Sequence, residues 1–335
     1  MRRTADEIDY ELIGDDLQAV IVTLDPGETV IAEAGAMMFM EDGIEMNTTL
    51  DPNQQGGGML GKLFAGAKRV LSGDTFFITT FMNAARVRRR VAFSSHFPGK
   101  IKPVDLVEWG GTIIAQKDSF LCAPKGTNVD IAFTRRIGAG FFGGEGFILQ
   151  RITGDGVAVL HASGALWETT LAAGETLRVD TGCIVAMEAQ VQYDIQMVPG
   201  VKTALFGGEG FILQRITGDG VAVLHASGAL WETTLAAGET LRVDTGCIVA
   251  MEAQVQYDIQ MVPGVKTALF GGEGLFFATL SGPGRVMLQT MPFSRLADRI
   301  LAAAPRAGGR QLQESGGSAL GVVGGAVLGG LLGRD

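Results

Sequence analysis

Residues 142–210 recur, letter for letter, as residues 206–274 of this 335-residue chain. The identity ends abruptly, with Phe141 set against Leu205 at one edge and Phe211 against Leu275 at the other. Drift has not touched it, which marks a duplication that is recent, engineered or introduced in assembling the sequence. A tandem insert of 64 residues folds only if its ends meet at equivalent points of the structure, so the repeat dictates a modular architecture.

The perfect copy exposes weaker repeats. Gly174-Glu175-Thr176, Gly182 and Met187-Glu188 recur with the same spacing at Gly238-Glu239-Thr240, Gly246 and Met251-Glu252, and near the N-terminus at Gly27-Glu28-Thr29, Gly35 and Met40-Glu41. A degraded version runs from Gly110-Gly111-Thr112 to Val129-Asp130-Ile131. A second element alternates with these blocks: Ser72-Gly73-Asp74-Thr75-Phe76-Phe77, Gly143-Gly144-Glu145-Gly146-Phe147, its copy ending at Phe211, and Gly271-Gly272-Glu273-Gly274 before Leu275-Phe276. The expected organisation is a repeated β domain over residues 1–304, with units at about 10–75, 76–141, 142–205 and 206–269, closing strands and a helix at 270–304, and a Gly-rich apolar tail at 305–335.

Each unit reads as β. Val191, Tyr193, Ile195 and Met197 alternate with Gln192, Asp194 and Gln196, the period of a half-buried strand. Phe147–Ile152 and Val157–Leu160, joined by Thr153-Gly154-Asp155-Gly156, predict a hairpin, and Ser281-Gly282-Pro283-Gly284 predicts the same turn in the last unit. Leu166–Leu171, Leu177–Val179 and Cys183–Ala186 are further short strands. Only Met59–Leu71 and Phe293–Ala304 have a helical pattern. Many short strands separated by glycine turns predict an all-β fold, a sandwich or closed β structure.

Hydrophobic residues make up 47% of the chain, enough for a sizeable core. The net charge of −9 and pI of about 5.0 argue against nucleic acid as a partner. The start, Met1-Arg2-Arg3-Thr4-Ala5-Asp6-Glu7, carries no apolar signal-type stretch, and three cysteines make no disulfide framework; a reducing cytoplasm is the expected location.

Taken together, the Gly-Glu-Thr blocks, the Met-Glu strands, the Gly-Gly-Glu-Gly-Phe motif and the ending Val286-Met287-Leu288-Gln289-Thr290-Met291-Pro292-Phe293 resemble the "altered inheritance of mitochondria" family and its uncharacterised bacterial relatives. The likeness runs from about Glu11 to Ile300. It implies a double-stranded β-helix fold similar to that of the tryptophan RNA-binding attenuation protein, and no catalytic activity. Relatives carry three units, and this chain carries a fourth. Fungal members are tied to mitochondrial inner-membrane organisation.

Candidate chemistry is sparse, and no catalytic residue, cofactor or metal is expected. The histidines are His96, His161 and its copy His225. His161, in Leu160-His161-Ala162-Ser163-Gly164, reads as a half-exposed strand histidine with no Cys or His nearby at metal-ligand spacing. Cys122 and Cys183 read as buried, inert thiols. Glu28, Glu175 and Glu239 read as turn residues ahead of a strand rather than as a carboxylate site. Gly143-Gly144-Glu145-Gly146 lacks the helix and lysine of a phosphate loop, and Glu145 would repel an anion. Arg86, Arg88, Arg89 and Arg90 read as a solvated strand face.

Two features stand out. Cationic, apolar segments precede the glycine motifs: Lys62, Phe64, Lys68 and Arg69; Arg135, Arg136, Phe141 and Phe142; Lys202 and Phe206; and the copies Lys266 and Phe270. Such residues either dip into an anionic membrane surface or form packing and oligomer contacts. In the tail, Gly317, Gly321, Gly325, Gly329 and Gly333 fall every four residues, the seam of a membrane helix pair if helical and a mobile tail if not. The expected function is a non-catalytic β scaffold, homo-oligomeric and cytoplasmic, peripheral to the inner face of a membrane. The alternative is a small-molecule binder with a pocket between repeats.

Overall fold

The structure, a computed structural model, describes residues 3–49, 78–135, 147–197, 212–261 and 276–303. These residues are almost all β, in antiparallel sheets, as the repeats demand. The chain divides into two compact units, Met1–Ala226 and Ser227–Asp335.

The described strands follow the repeats. First come β1 (Asp9–Ile13), β2 (Ala19–Leu24), β3 (Thr29–Glu33), β4 (Met37–Met40), β5 (Ile44–Thr49) and β6 (Ile78–Asn83). The second set is β7 (Arg89–Ser94), β8 (Gly99–Asp105), β9 (Thr112–Gln116), β10 (Phe120–Pro124), β11 (Asn128–Arg135) and β12 (Phe147–Thr153). The third is β13 (Val157–Ser163), β14 (Ala165–Leu171), β15 (Thr176–Asp180), β16 (Ile184–Glu188), β17 (Gln192–Met197) and β18 (Ile212–Thr217). The fourth is β19 (Gly220–Ala226), β20 (Leu230–Leu235), β21 (Thr240–Asp244), β22 (Ile248–Glu252), β23 (Gln256–Met261) and β24 (Phe276–Ser281). Strand β25 (Gly284–Gln289) and helix α1 (Phe293–Ala303) follow. The duplicated stretches give matching strands, β12–β17 and β18–β23, so both copies adopt the same β unit.

From β2 onward, partners recur every six strands. β2 pairs with β7, β8 with β13, β14 with β19 and β20 with β25. β5 pairs with β6, β11 with β12, β17 with β18 and β23 with β24. β3 with β10 and β9 with β16 join one repeat to the next. In the first compact unit this gives sheets ordered β1-β2-β7-β4, β5-β6-β3-β10-β13-β8 and β11-β12-β9-β16-β19-β14. Each repeat carries a bulge at the same place, between Met37 and Phe39, Phe120 and Cys122, Ile184 and Ala186, and Ile248 and Ala250.

The pairing overturns the hairpin expectation. β12 pairs with β11 and β9, whereas β13 pairs with β8 and β10, so Thr153–Gly156 carries the chain from one sheet to another. β24 and β25 likewise separate, each pairing elsewhere. Glycine is needed there for close approach: a Cβ on Gly156 would lie 2.5 Å from Pro124 Cγ.

Alternating β-branched and aromatic residues supply the core. In one cluster Val20, Val22, Val91 and Leu121 are fully buried around Phe81 and Phe93, whose rings meet edge-to-face at 5.2 Å. A second gathers Ile113, Phe120, Ile152 and Leu160. Identical sequence does not give identical burial, however. Trp167 is half-buried while Trp231 is 50% exposed, because burial depends on what each strand faces.

Candidate functional site

The recurring glutamates are occupied by the backbone. Glu28, Glu175 and Glu239 accept the N–H of Asp25, Ala172 and Ala236 at 2.7, 2.9 and 2.9 Å, and return their own N–H to the carbonyls of the same residues. Each closes the turn before β3, β15 or β21. Glu41, Glu188 and Glu252 accept the N–H of Arg90, Val221 and Arg285 at 2.9, 2.7 and 3.0 Å. The motif that marks the repeat is therefore a pair of side-chain-to-backbone clamps.

The histidine position behaves differently from repeat to repeat. His225 on β19 accepts the Ser163 N–H at Nδ1 (2.9 Å), and its Nε2 lies 2.6 Å from the Gly182 carbonyl. Gln289 on β25 makes the same two bonds, accepting from Ser227 N–H and donating to the Gly246 carbonyl, both at 2.8 Å. At this position histidine and glutamine are interchangeable ties between backbone groups, and burial lowers the His225 pKa, favouring the neutral ring.

His161, the letter-for-letter counterpart of His225, does something else. It is 2% exposed, which corrects the half-exposed expectation. Its Nδ1 lies 3.0 Å from Ser95 Oγ, which also accepts the Phe97 N–H at 3.0 Å, and the Phe97 ring stacks on the imidazole. Its Nε2 has no hydrogen-bond partner and stands 3.6 Å from Glu33 Oε2, also buried and without one. His96 brings Nδ1 to 3.4 Å from the same oxygen. One ligand atom from each of Glu33, His96 and His161 lies within 4.8 Å of the other two. The cluster revises the reading of His161 as a residue without ligand partners, because its partners come from other repeats.

The substitution behind this is visible in the repeat register. Glu33 ends β3 where Asp180 ends β15 and Asp244 ends β21. Both aspartates fold back on their own turn, accepting the Gly182 and Gly246 N–H at 2.9 Å. Glu33 is one methylene longer and reaches out to the histidines instead. His96 belongs to Ser94-Ser95-His96-Phe97-Pro98-Gly99, a loop longer than the Ser163-Gly164 link at the equivalent place. The signal was therefore a glutamate for aspartate plus a longer loop.

The other expectations fall as follows. Cys122 and Cys183 are buried, and burial pushes both thiols up, with Asp180 adding to the effect at Cys183. The arginine run is a solvated face: Arg88 pairs with Asp9 and Asp25 (2.6 Å), and Arg90 with Glu41 at 2.7 Å. Such exposed pairs contribute little. Lys62, Phe64, Lys68, Arg69, Arg136, Phe141, Phe142, Lys202, Phe206, Lys266 and Phe270 lie outside the described residues, as do Met59–Leu71 and the tail glycines Gly317, Gly321, Gly325, Gly329 and Gly333. Arg135 ends β11, its backbone paired with Phe147. Among the described residues no helix is long and apolar enough to cross a membrane.

The chain has recognisable relatives. An uncharacterized protein of Streptococcus pyogenes serotype M6 is 29% identical over 195 residues, 58% of this chain and 75% of that protein. A crystal structure of a Streptococcus pyogenes protein, from a structural genomics consortium, covers 89% of this chain and all of its own length at 16% identity and a TM-score of 0.40. The family model described as mitochondrial biogenesis AIM24 matches residues 10–212 and again 198–291, each match containing one copy of the duplicated stretch. The chain belongs to the AIM24 mitochondrial biogenesis family.

Proposed function

We propose that this chain is a non-catalytic β scaffold that assembles with further copies of itself, end to end, through its terminal half-sheets. The observation that carries the reading is the condition of β4. At its place in the repeat, β10 is buried along its whole length between β3 and β13, and β16 is buried except at its last residue, between β9 and β19. β4 instead sits at the edge of its described sheet, with Met37, Met38 and Met40 38%, 47% and 41% exposed. In the second compact unit β21 is also a described edge, in the order β21-β24-β23, and Leu241 is only half-buried where the equivalent Leu177 is fully buried.

These edges are complementary. Six-stranded order is reached where β5-β6-β3 meets β10-β13-β8. Setting β21 of one copy against β4 of the next gives β23-β24-β21 against β4-β7-β2, the same arrangement. An apolar edge strand invites such addition, and a head-to-tail contact propagates to a chain or a ring. The non-catalytic part of the reading rests on the motif glutamates, each occupied by backbone N–H groups.

Light scattering after size exclusion, over a dilution series, tests it. Wild type should give species heavier than the 35.2 kDa chain, and Met38→Lys with Met40→Lys should return that mass. A wild type that is monomeric throughout, or a double variant that assembles equally well, refutes it. Flotation of the same sample with anionic liposomes reads the membrane contact expected of the cationic segments around Phe64, Phe141 and Phe142.

A further inference from the structure

We propose that Glu33, His96 and His161 bind a single first-row divalent transition-metal ion, for which zinc is the fitting probe. Two imidazole nitrogens converge on one carboxylate oxygen, at 3.4 Å from His96 and 3.6 Å from His161. Neither distance is that of a charge-assisted hydrogen bond, which would draw the atoms to about 2.7–2.9 Å. Both distances suit ligands sharing an ion. Zinc bonds of about 2.0–2.1 Å at tetrahedral angles hold ligand atoms roughly 3.3 Å apart. The remaining separation, between the two imidazoles, lies within 4.8 Å, and His96 is on a loop with its side chain 44% exposed. A small swing of that ring completes the triangle, and its exposure is the entry path for the ion.

The inner ligands are held as metal ligands are held. His161 is 2% exposed, and Ser95 Oγ, fixed by the Phe97 N–H, faces Nδ1. With Nδ1–H donating to that hydroxyl, Nε2 carries the lone pair toward Glu33, the outer-shell arrangement that sets the tautomer of a ligating histidine. The buried Nε2 and Glu33 Oε2 lack any hydrogen bond, a costly state that a cation between them would relieve. Two imidazoles and one carboxylate select a zinc-like or iron-like ion over calcium or magnesium, which prefer all-oxygen sets. Three protein ligands leave a coordination position for water.

The duplication supplies an internal control. His225 has the same sequence neighbours as His161, but both of its nitrogens are taken by Ser163 and Gly182. The full chain, stripped with a chelator and titrated with zinc against a chromophoric competitor, should bind one ion. His96→Ala, Glu33→Gln and His161→Gln should each weaken binding at least tenfold, and Ser95→Ala should weaken it while leaving the stoichiometry at one. His225→Gln, which reproduces the natural Gln289, should bind as wild type does. Should His161→Gln fail to fold, His96→Ala, on an exposed loop, decides the matter. No bound zinc, a His96→Ala variant that binds like wild type, or a His225→Gln variant that loses the ion overturns the proposal.

Discussion

The clamp between Glu188 and the start of β19 can be tested by a double-mutant cycle. Glu188 Oε2 accepts the Val221 N–H at 2.7 Å and the Gln190 side-chain amide at 2.9 Å. It approaches so closely because residue 220 is glycine: a Cβ there would lie 2.6 Å from that oxygen, with φ at +146°. Glu188→Ala strands a part-buried N–H, at a cost of about 1–3 kcal/mol. Gly220→Ala forces a side chain into a strained φ, another 1–3 kcal/mol or so, and adds the collision with the carboxylate. When both are present the collision is gone but the strain stays. The double variant should therefore lose less than the sum, by about 0.5–2 kcal/mol. Urea unfolding in a Trp231→Phe background reads this through Trp109 and Trp167, with the midpoint shifting at constant slope. The fourth repeat is the control, because a Cβ on Gly284 meets Val255 at 2.7 Å and Glu252 only at 3.3 Å. Coupling between Glu252 and Gly284 should be the weaker of the two. Additive losses at Glu188 and Gly220, or equal coupling in both repeats, would refute the reasoning.

Asp180 gives a pH signature. Burial pushes its carboxyl up to about 6, against the lowering effect of the Gly182 N–H, from an ordinary 3.8. The folded chain keeps this proton to higher pH than the unfolded chain, so its stabilising contribution is complete below about pH 4 and is lost as pH rises through 6. Urea midpoints from pH 4 to 7 should fall more steeply in wild type than in Asp180→Asn; parallel curves would count against it. Thiol chemistry should separate identical sequences: Cys247 is half-buried, whereas Cys183, its copy, and Cys122 are buried. Brief alkylation at neutral pH, read by peptide mass, should mark Cys247 first, and equal labelling of Cys183 would contradict the burial argument.

The sequence by itself determined the repeat and the nature of its parts. Strand positions followed from alternation, as at Tyr193 and Ile195, because a period of two is a local property of extended chain. The Gly-Glu-Thr and Met-Glu motifs announced their turns and strands for the same reason: Glu28 or Glu175 completes a hydrogen bond three residues away. Pairing was another matter. Thr153–Gly156 looks like a hairpin turn in sequence, yet which sheet β13 joins is decided by β8 and β10, dozens of residues away. The fate of the histidines is the sharpest case. His161 and His225 share every near neighbour in sequence, and one is a tie between backbone groups while the other faces a carboxylate and a second imidazole. Glu33 and His96 reach His161 only because β3 and β13 both pair with β10, and β8, which follows the His96 loop, pairs with β13, and no local pattern encodes which repeat will stand beside which.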